Sequence, residues 1–279
     1  MRLLVLGGTQ FLSRAVAADA VARGHDVTCA CRGVTGAVPE GAEHVVFDRS
    51  AGPVPADLAA AAYDAVVDVT GQPGWVRHAV GVFPDAHWVF VSTINVYDDE
   101  TTPGGTPDTL RLREPVTEDG QGRESPEAYG GRKVTCERLV REGVASSTVI
   151  RPGLIVGPED PTGRFSYWPA RLADGGEVLA PGTPDDDVQV VDVRDLATWI
   201  VDCAESRTDG MFDATSHVLT RAEFLAQAAA GLGVQPTFTW VDQDFLAEQK
   251  VEPWMGPRSI PLWLPLPDYT GLMAHDVRA

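Results

Sequence analysis

Short apolar runs and amphipathic segments alternate through the first half of the chain. The apolar runs occupy residues 2–6, 25–31, 44–47, 65–69 and 87–92, and the amphipathic segments include residues 11–23, 55–62 and 74–83. Strands that are apolar along their whole length are typical of a parallel sheet covered by helices on both faces. The pattern therefore predicts an α/β fold built on a doubly wound parallel sheet.

The alternation weakens after residue 97. Residues 98–125 are rich in Gly, Pro, Asp, Glu and Thr and form a long polar connection. A helix is predicted to begin after Ser125, because Ser is a good N-cap and Pro126 suits the first helical position. The chain is thereby divided into a main domain at residues 1–157, completed by about 188–205, and a smaller region at residues 158–187 and 206–279.

Acidic residues outnumber basic ones by 40 to 22, which gives a formal net charge of −18 at pH 7. Because cationic side chains dominate nucleic-acid binding, no nucleic-acid partner is expected. No apolar stretch approaches the roughly 18 residues of a membrane span. The first apolar run is too short for a secretory signal, and the four cysteines lack metal-ligand spacing, so we expect a cytoplasmic protein without a metal site. Monomer and homodimer both remain open.

A glycine turn lies between the first apolar run and the first helix. In such a turn, backbone amides and the helix N-terminus face a phosphate group of a dinucleotide. The turn reads Gly-Gly-Thr-Gln-Phe-Leu-Ser, so Gln10 and Ser13 replace two glycines of the usual signature. A turn with a purely structural role is the alternative. The predicted cofactor contacts here are Gly7, Thr9, Gln10, Phe11 and Leu12.

The end of the second apolar run bears on the choice of cofactor. An NAD site usually has a carboxylate there to bind the ribose hydroxyls, whereas this chain has Cys31 followed by Arg32. A cation at this place favours a 2′-phosphate, so NADP is preferred over NAD. Arg49 is expected to add a second cation and Asp48 to accept a hydrogen bond from the adenine. Arg32 and Arg49 as merely solvated charges are the alternative.

Tyr129 and Lys133 lie four residues apart in the helix predicted after Ser125. The chain has five tyrosines and two lysines, so chance predicts roughly 0.04 such pairs. On one helix face, the ammonium is expected to lower the phenol pKa from about 10 and to hold the cofactor ribose. An ordinary surface pair is the alternative. Ser92 and Thr93 end the fifth apolar run, where a hydroxyl would orient a substrate or simply cap the strand.

Together these motifs resemble the extended short-chain dehydrogenase/reductase superfamily, and within it the NAD-dependent epimerase/dehydratase branch. The resemblance runs from residue 1 to about residue 205. It is carried by Gly7-Gly8-Thr9, Asp48-Arg49, Ser92-Thr93 with Val96-Tyr97, Tyr129 with Lys133, Arg151-Pro152-Gly153 through Gly157-Pro158, and residues 191–197.

The resemblance implies a Rossmann domain that binds NAD(P) and a smaller C-terminal substrate region. It implies Tyr129 as catalytic acid/base, Lys133 as its partner and Thr93 as the assisting hydroxyl. Tyr129 and Lys133 would also contact the cofactor. Further cofactor contacts are implied at Val69, Thr70, Gly71 and Pro152.

The substrate side is less well specified. Arg164 beside Trp168 suits a phosphate or carboxylate next to a flat ring, as in a nucleotide sugar. The alternative is that Trp168 begins a core helix and Arg164 is solvated. Gln189 and Ser92 are further weak candidates for substrate contact.

We therefore expect an NAD(P)-dependent enzyme, an oxidoreductase or epimerase that acts on a secondary alcohol or ketone of a small molecule by hydride transfer. A nucleotide sugar is one such substrate. Because Gln10 and Ser13 break the glycine signature, a catalytically silent Rossmann module that senses nucleotide or binds a protein is the alternative.

Overall fold

The computed structural model describes residues 1–120 and 125–276. Four residues of the polar connection, 121–124, and the last three of the predicted smaller region, 277–279, lie outside the described residues. The strands are β1 (Arg2–Leu6), β2 (Asp26–Cys31), β3 (Glu43–Val46), β4 (Ala65–Asp68), β5 (His87–Val91), β6 (Ser147–Pro152), β7 (Leu154–Val156), β8 (Glu177–Pro181), β9 (Asp187–Val188), β10 (Val190–Asp192), β11 (Gly210–Ala214), β12 (Leu219–Thr220), β13 (Thr237–Val241), β14 (Glu252–Trp254) and β15 (Ser259–Pro261).

The helices are α1 (Phe11–Ala22), α2 (Ala56–Ala60), α3 (Pro73–Val82), α4 (Pro126–Gly143), α5 (Tyr167–Ala173), α6 (Val193–Ser206), α7 (Arg221–Leu232), α8 (Gln243–Glu248) and α9 (Thr270–Met273), with a short 3-10 turn at Ile94–Val96. Helix α4 begins as the sequence predicts, because the Ser125 hydroxyl accepts a hydrogen bond from the Ala128 N–H and Pro126 occupies the first turn. Within the described ranges, no helix is long and apolar enough to cross a membrane.

Seven parallel strands form the central sheet, in the order β11-β6-β5-β4-β1-β2-β3. Successive residues of β1 point to opposite faces: Leu3 and Val5 join a core with α1 and α6, while Leu4 and Leu6 join a core with α3 and α4. Both faces are therefore covered by helices, and the predicted doubly wound α/β fold is confirmed.

One strand of this sheet lies outside the stretch that the sequence assigns to the main domain. Strand β11 falls within residues 206–279, yet it pairs in parallel with β6 along its whole length. The short strands β9 and β10, at the start of the stretch expected to complete the main domain, pair instead with β12 and β7. The sequence of β11, Gly-Met-Phe-Asp-Ala, contains a glycine and an acid, so apolar patterning does not reveal it.

The later part of the chain builds a core of its own against the carboxyl edge of the sheet. Trp168, Leu172 and Leu225 from α5 and α7 pack with Val178 of β8 and with Trp263. These side chains are nearly or fully buried. Burial on this scale fixes the position of the loops that precede and follow β14 and β15.

Behind the sheet edge, an arginine is buried in a polar cluster. The Arg151 guanidinium, 1% exposed, donates two hydrogen bonds to Glu137 at 2.9 and 2.7 Å and one to the Tyr97 hydroxyl at 2.9 Å. Tyr97 in turn donates to Asp213 of β11 at 2.7 Å. The cluster therefore joins α4, β6 and β11 through charge-assisted bonds in a medium where an unpaired charge is costly.

Removing one partner of this buried pair should destabilise the fold strongly. We expect Glu137→Gln to lower the free energy of unfolding by about 3 kcal/mol, because Arg151 keeps its charge and loses its counter-ion. Urea denaturation measures the loss. The matched control is Glu159→Gln at the exposed pair with Arg14, which should cost less than about 1 kcal/mol. Equal losses in the two variants would contradict this account of the cluster.

Candidate active site

A cavity of about 560 Å³ opens at the carboxyl edge of the central sheet, beside the point where the strand order reverses between β1 and β4. In doubly wound sheets, ligands bind at this point. The three residues implied as catalytic, Thr93, Tyr129 and Lys133, all line the cavity. Six of the predicted cofactor and substrate contacts outside that triad also line it: Phe11, Leu12, Val69, Pro152, Ser92 and Arg164.

Two glycines allow α4 to bring Tyr129 and Lys133 to this place. A Cβ atom at Gly130 would lie 2.1 Å from the Asn95 carbonyl oxygen, and one at Gly131 would lie 2.6 Å from the Glu114 carbonyl oxygen. Any side chain at these positions would push the helix away from the loops after β5. Sequence reasoning missed this role, although the Gly-Gly pair within the Tyr-to-Lys motif was a visible signal.

Tyr129 and Lys133 run side by side over the end of β4. A Cβ atom at Gly71 would lie 3.4 Å from Cε2 of Tyr129 and 3.8 Å from Cε of Lys133. The predicted contact residue Gly71 therefore lies against both side chains, and its lack of a side chain leaves room for them.

The Lys133 ammonium is almost completely buried. Its Nζ donates hydrogen bonds to the carbonyl oxygens of Val91 at 2.6 Å and Val69 at 3.1 Å, and it lies 4.9 Å from the centre of the Phe90 ring. Its side chain is thereby held between the ends of β4 and β5. Burial lowers the pKa of Lys133 to about 8, because the charged form is poorly solvated there.

The phenol of Tyr129 does not have the lowered pKa that the sequence predicts. Burial raises the pKa of Tyr129 to about 12, and Lys133 does not counter this. The physical reason is that the ammonium is directed at two backbone carbonyls. In the free protein, Tyr129 is therefore a protonated hydroxyl, suited to donate its proton.

Two hydroxyls from the end of β5 face the same cavity. The Thr93 oxygen accepts a hydrogen bond from the Asn95 N–H at 3.2 Å, which begins the 3-10 turn. The Ser92 hydroxyl is 3% exposed and has no hydrogen-bond partner among the described residues. A buried hydroxyl without a partner is costly unless a ligand supplies one.

The glycine turn fits a diphosphate. Gly7 and Gly8 adopt φ angles of 146° and 111°, which a residue with a side chain would rarely adopt. The first turn of α1 has no acidic residue, and Gln10 is exposed and makes no side-chain cap, which leaves the helix N-terminus open to an anion. Ser13 is accommodated: its hydroxyl accepts a hydrogen bond from the Gly8 N–H at 3.1 Å and donates one to the Gln10 carbonyl at 3.0 Å.

The residues predicted to bind the adenosine half of the cofactor are only partly placed as expected. Arg32 is exposed at the end of β2, and Asp48 accepts two hydrogen bonds from Ser50. Arg49, in contrast, is paired with Asp68 through two hydrogen bonds of 2.9 and 2.8 Å, with both side chains buried. The prediction of Arg49 as a second free cation is therefore wrong. Asp68, which sequence reasoning missed, also accepts a hydrogen bond from the Thr70 N–H and so fixes the loop after β4.

Two of the weak substrate candidates belong to the protein interior. Trp168 is 1% exposed, packs in the core of the later region and donates its indole N–H to the Pro261 carbonyl. Gln189 is 2% exposed, and its side-chain amide is bonded to the backbone of Ser216 and His275. Both predictions of substrate contact are therefore wrong, because these side chains are committed to packing and to backbone hydrogen bonds.

Arg164 does line the cavity. Its guanidinium lies 4.6 Å from the centre of the Trp254 ring, and its Nε donates a hydrogen bond to the Thr162 hydroxyl at 2.9 Å. Burial lowers the pKa of Arg164 from its ordinary value. Trp254, rather than Trp168, is thus the aromatic side chain beside this arginine.

Comparison with known proteins supports the fold. No family model and no curated protein matches the chain. Among solved structures, a UDP-N-acetylglucosamine 4-epimerase from Bacillus cereus matches with a TM-score of 0.65 at 17% identity, over 87% of this chain and 85% of that one. A UDP-glucose 4-epimerase of Thermus thermophilus in complex with NAD gives 0.62 at 18% identity, over 100% and 99%.

A third similar structure is the Bordetella bronchiseptica enzyme WbmG in complex with NAD and UDP, with a TM-score of 0.62 at 14% identity, over 99% of this chain and 97% of that one. At these identities the likeness establishes the fold. That fold is the doubly wound α/β fold that the sequence predicts.

Burying Lys133 should cost stability at neutral pH. Below pH 8, Lys133 is protonated in both the folded and the unfolded chain, so the full cost of burying the ammonium applies. Between pH 8 and about 10.5, Lys133 loses its proton in the folded chain but keeps it in the unfolded chain. The free energy of unfolding therefore rises with pH over this range. We expect Lys133→Met to raise the Tm by a few degrees at pH 7 and by less as the pH approaches 10.5. Thermal unfolding across this range measures the difference.

The other lysine provides the matched control. Lys250 is exposed, and Lys250→Met should leave the Tm within about one degree of wild type at every pH. A lower Tm for Lys133→Met at pH 7, or a difference from wild type that does not change with pH, would show that the buried ammonium is not a source of instability.

Proposed function

We propose that the chain is an NAD(P)-dependent oxidoreductase or epimerase that acts on a secondary alcohol or ketone of a small molecule. The observation that carries this proposal is the presence of Thr93, Tyr129 and Lys133 in one cavity with Phe11 and Leu12 of the glycine turn. A protonated phenol, a buried ammonium and a hydroxyl are the groups that proton transfer to a carbonyl oxygen requires. A module that only senses nucleotide needs no such set.

The dinucleotide would lie across the end of β1, with its diphosphate at the N-terminus of α1 and its nicotinamide half toward Lys133. Gly7, Thr9 and Gln10 are the residues at the diphosphate, while Val69 and Pro152 border the nicotinamide half. When bound, the nicotinamide supplies a hydride to the substrate carbon or accepts one from it. Arg164, Trp254, Leu272 and Met273, from the later part of the chain, line the substrate end.

In the direction of reduction, Tyr129 donates its hydroxyl proton to the substrate oxygen as the carbon is reduced. Thr93 donates a hydrogen bond to the same oxygen and so holds the carbonyl toward the phenol. Lys133, whose Nζ keeps one N–H beyond its bonds to Val69 and Val91, holds a ribose hydroxyl of the cofactor. In the direction of oxidation, the phenolate takes the proton back. An epimerase would run both directions on one substrate.

The preference for NADP rests on Arg32. This arginine is exposed at the end of β2, where the chain has no carboxylate for ribose hydroxyls, while Arg49 is neutralised by Asp68. Two of the similar solved structures hold NAD, so the comparisons support a nicotinamide dinucleotide in general and the preference for NADP depends on Arg32 alone. The similar proteins from Bacillus cereus and Thermus thermophilus are UDP-sugar epimerases, so a nucleotide sugar is one candidate substrate, for which Arg164 beside Trp254 is the available binding group.

Nucleotide binding tests the cofactor assignment. In a fluorescence titration we expect wild type to bind NADPH more tightly than NADH, and Arg32→Ala to reduce that ratio by about tenfold through loss of one ion pair with the 2′-phosphate. Arg138→Ala, at an exposed position of α4, is the control and should leave the ratio unchanged. If neither nucleotide binds to wild type, the proposed enzyme function is refuted, and an unchanged ratio in Arg32→Ala refutes the NADP preference alone.

Tyr129→Phe tests the role of the phenol. In an assay of NADPH or NADH consumption with ketones and nucleotide sugars, the variant should lose at least about a thousandfold in kcat, because the proton donor is gone. Its cofactor affinity should remain within about twofold of wild type. Tyr63→Phe is the matched control: Tyr63 packs against the core formed with α3 and α4 and does not line the cavity, so this variant should turn over normally. Retained turnover in Tyr129→Phe would remove Tyr129 from its assigned role.

A further inference from the structure

We infer that the substrate of this cavity is a ketone or alcohol with an uncharged, apolar body, and that Leu272 and Met273 determine this specificity. The inference rests on the proposed function, because it concerns the substrate half of the same cavity. Both residues belong to the C-terminal segment, defined here as residues 264–276.

The walls of the cavity beyond the catalytic triad are predominantly apolar. Leu264, Leu272 and Met273 of the C-terminal segment line the cavity together with Leu154 and Ile155, which follow β6. None of these five side chains can form a hydrogen bond of ordinary strength. A sugar ring placed among them would leave hydroxyl groups without partners, at a cost of about 1 to 3 kcal/mol for each group. An apolar body would instead gain from burial against the same surface.

The charges on the lining also argue against a diphosphate in the substrate half. The charged side chains that line the cavity are two acids, Glu100 and Glu127, and two bases, Lys133 and Arg164; Glu100 is paired with Arg113, which lies outside the lining. Lys133 is bonded to the strand-end carbonyls on the cofactor side. Arg164 alone would therefore have to compensate a diphosphate that arrives beside an anionic cofactor, in a chain of net charge −18.

The apolar wall is held in place by bonds to three other parts of the chain. The Gln189 amide accepts a hydrogen bond from the His275 N–H at 2.9 Å and donates one to the His275 carbonyl at 3.0 Å. The His275 imidazole is 1% exposed, with Nδ1 at 3.4 Å from a carboxylate oxygen of Asp213 on β11. Gly271 donates its N–H to the Glu100 carbonyl at 2.8 Å.

Close packing at Gly271 reinforces this attachment. A Cβ atom there would lie 2.8 Å from the Glu100 carbonyl oxygen, so the start of α9 lies directly against the loop after β5. Leu272 and Met273 follow immediately, and their positions in the cavity are therefore set by the fold rather than by a ligand. The specificity that they impose is built into the free protein.

The test compares two probes on the protein with its preferred cofactor. The apolar probe is 4-phenyl-2-butanone and the polar probe is UDP-glucose; saturation-transfer NMR in the presence of NADP or NAD reports binding, and consumption of the reduced cofactor reports turnover. We expect the ketone to bind and to be reduced. UDP-glucose should neither bind nor displace it. Binding of UDP-glucose, or absence of ketone binding to protein that binds the nucleotide, overturns the inference.

A variant identifies the residues responsible. Leu272→Asn keeps the size of the side chain approximately and makes the wall polar; it should raise KM for the ketone by about tenfold with little change in kcat or cofactor affinity. The matched control is Leu179→Asn, at an exposed position of β8 that does not line the cavity, and it should leave KM unchanged. An unchanged KM in Leu272→Asn overturns the assignment. Failure of the proposed function is distinguished by the nucleotide titration, in which no cofactor would bind.

Discussion

The arrangement of the candidate site depends on one buried ammonium. Lys133 lies between the ends of β4 and β5 and donates to the carbonyl oxygens of Val69 and Val91. Carbonyl dipoles compensate only part of the cost of removing a charge from water, and the lowered pKa of about 8 reflects the remainder. Lys133 reaches this place because Gly130 and Gly131 allow α4 to pack closely at this edge of the sheet. Tyr129, one turn earlier, is carried to the same place.

A second set of buried charges connects this edge to the end of the chain. Arg151 holds Glu137 of α4 and, through Tyr97, reaches Asp213 of β11. Asp213 faces His275, whose backbone is bonded to Gln189. The helix that carries the proposed catalytic pair and the C-terminal segment that lines the cavity thus approach each other at Asp213 and His275, where Nδ1 lies 3.4 Å from the carboxylate without a hydrogen bond.

Much of the main sheet is predictable from sequence because local patterns determine it. Uniformly apolar strands and the Ser-Pro start of α4 are visible in a few consecutive residues, and the structure agrees with both. The Tyr-to-Lys spacing likewise leads to one cavity, since four residues make one helical turn. Strand β11 was missed because its own residues give no apolar pattern, and only its pairing with β6 identifies it.

The errors concern partners that are distant in sequence. Arg49 was expected to be a free cation, but its partner Asp68 lies at the end of another strand. Trp168 and Gln189 were expected to face a substrate, and contacts with residues far along the chain show that they do not. The pKa of Tyr129 was misjudged for the same reason, because helix geometry places Lys133 nearby but not the two carbonyls that bind its ammonium.

Proton uptake on cofactor binding tests the central claim most directly, namely that the buried Lys133 ammonium serves the dinucleotide. At pH 8, Lys133 should be deprotonated in about half of the free protein molecules. Binding of an anionic reduced cofactor, whose ribose hydroxyl accepts a hydrogen bond from Nζ, should return the proton to Lys133. Titration calorimetry with NADPH or NADH in buffers of different ionisation enthalpy measures the number of protons exchanged. We predict uptake of about half a proton at pH 8, rising toward pH 9. No uptake, or release of protons, across this range would contradict the role assigned to Lys133.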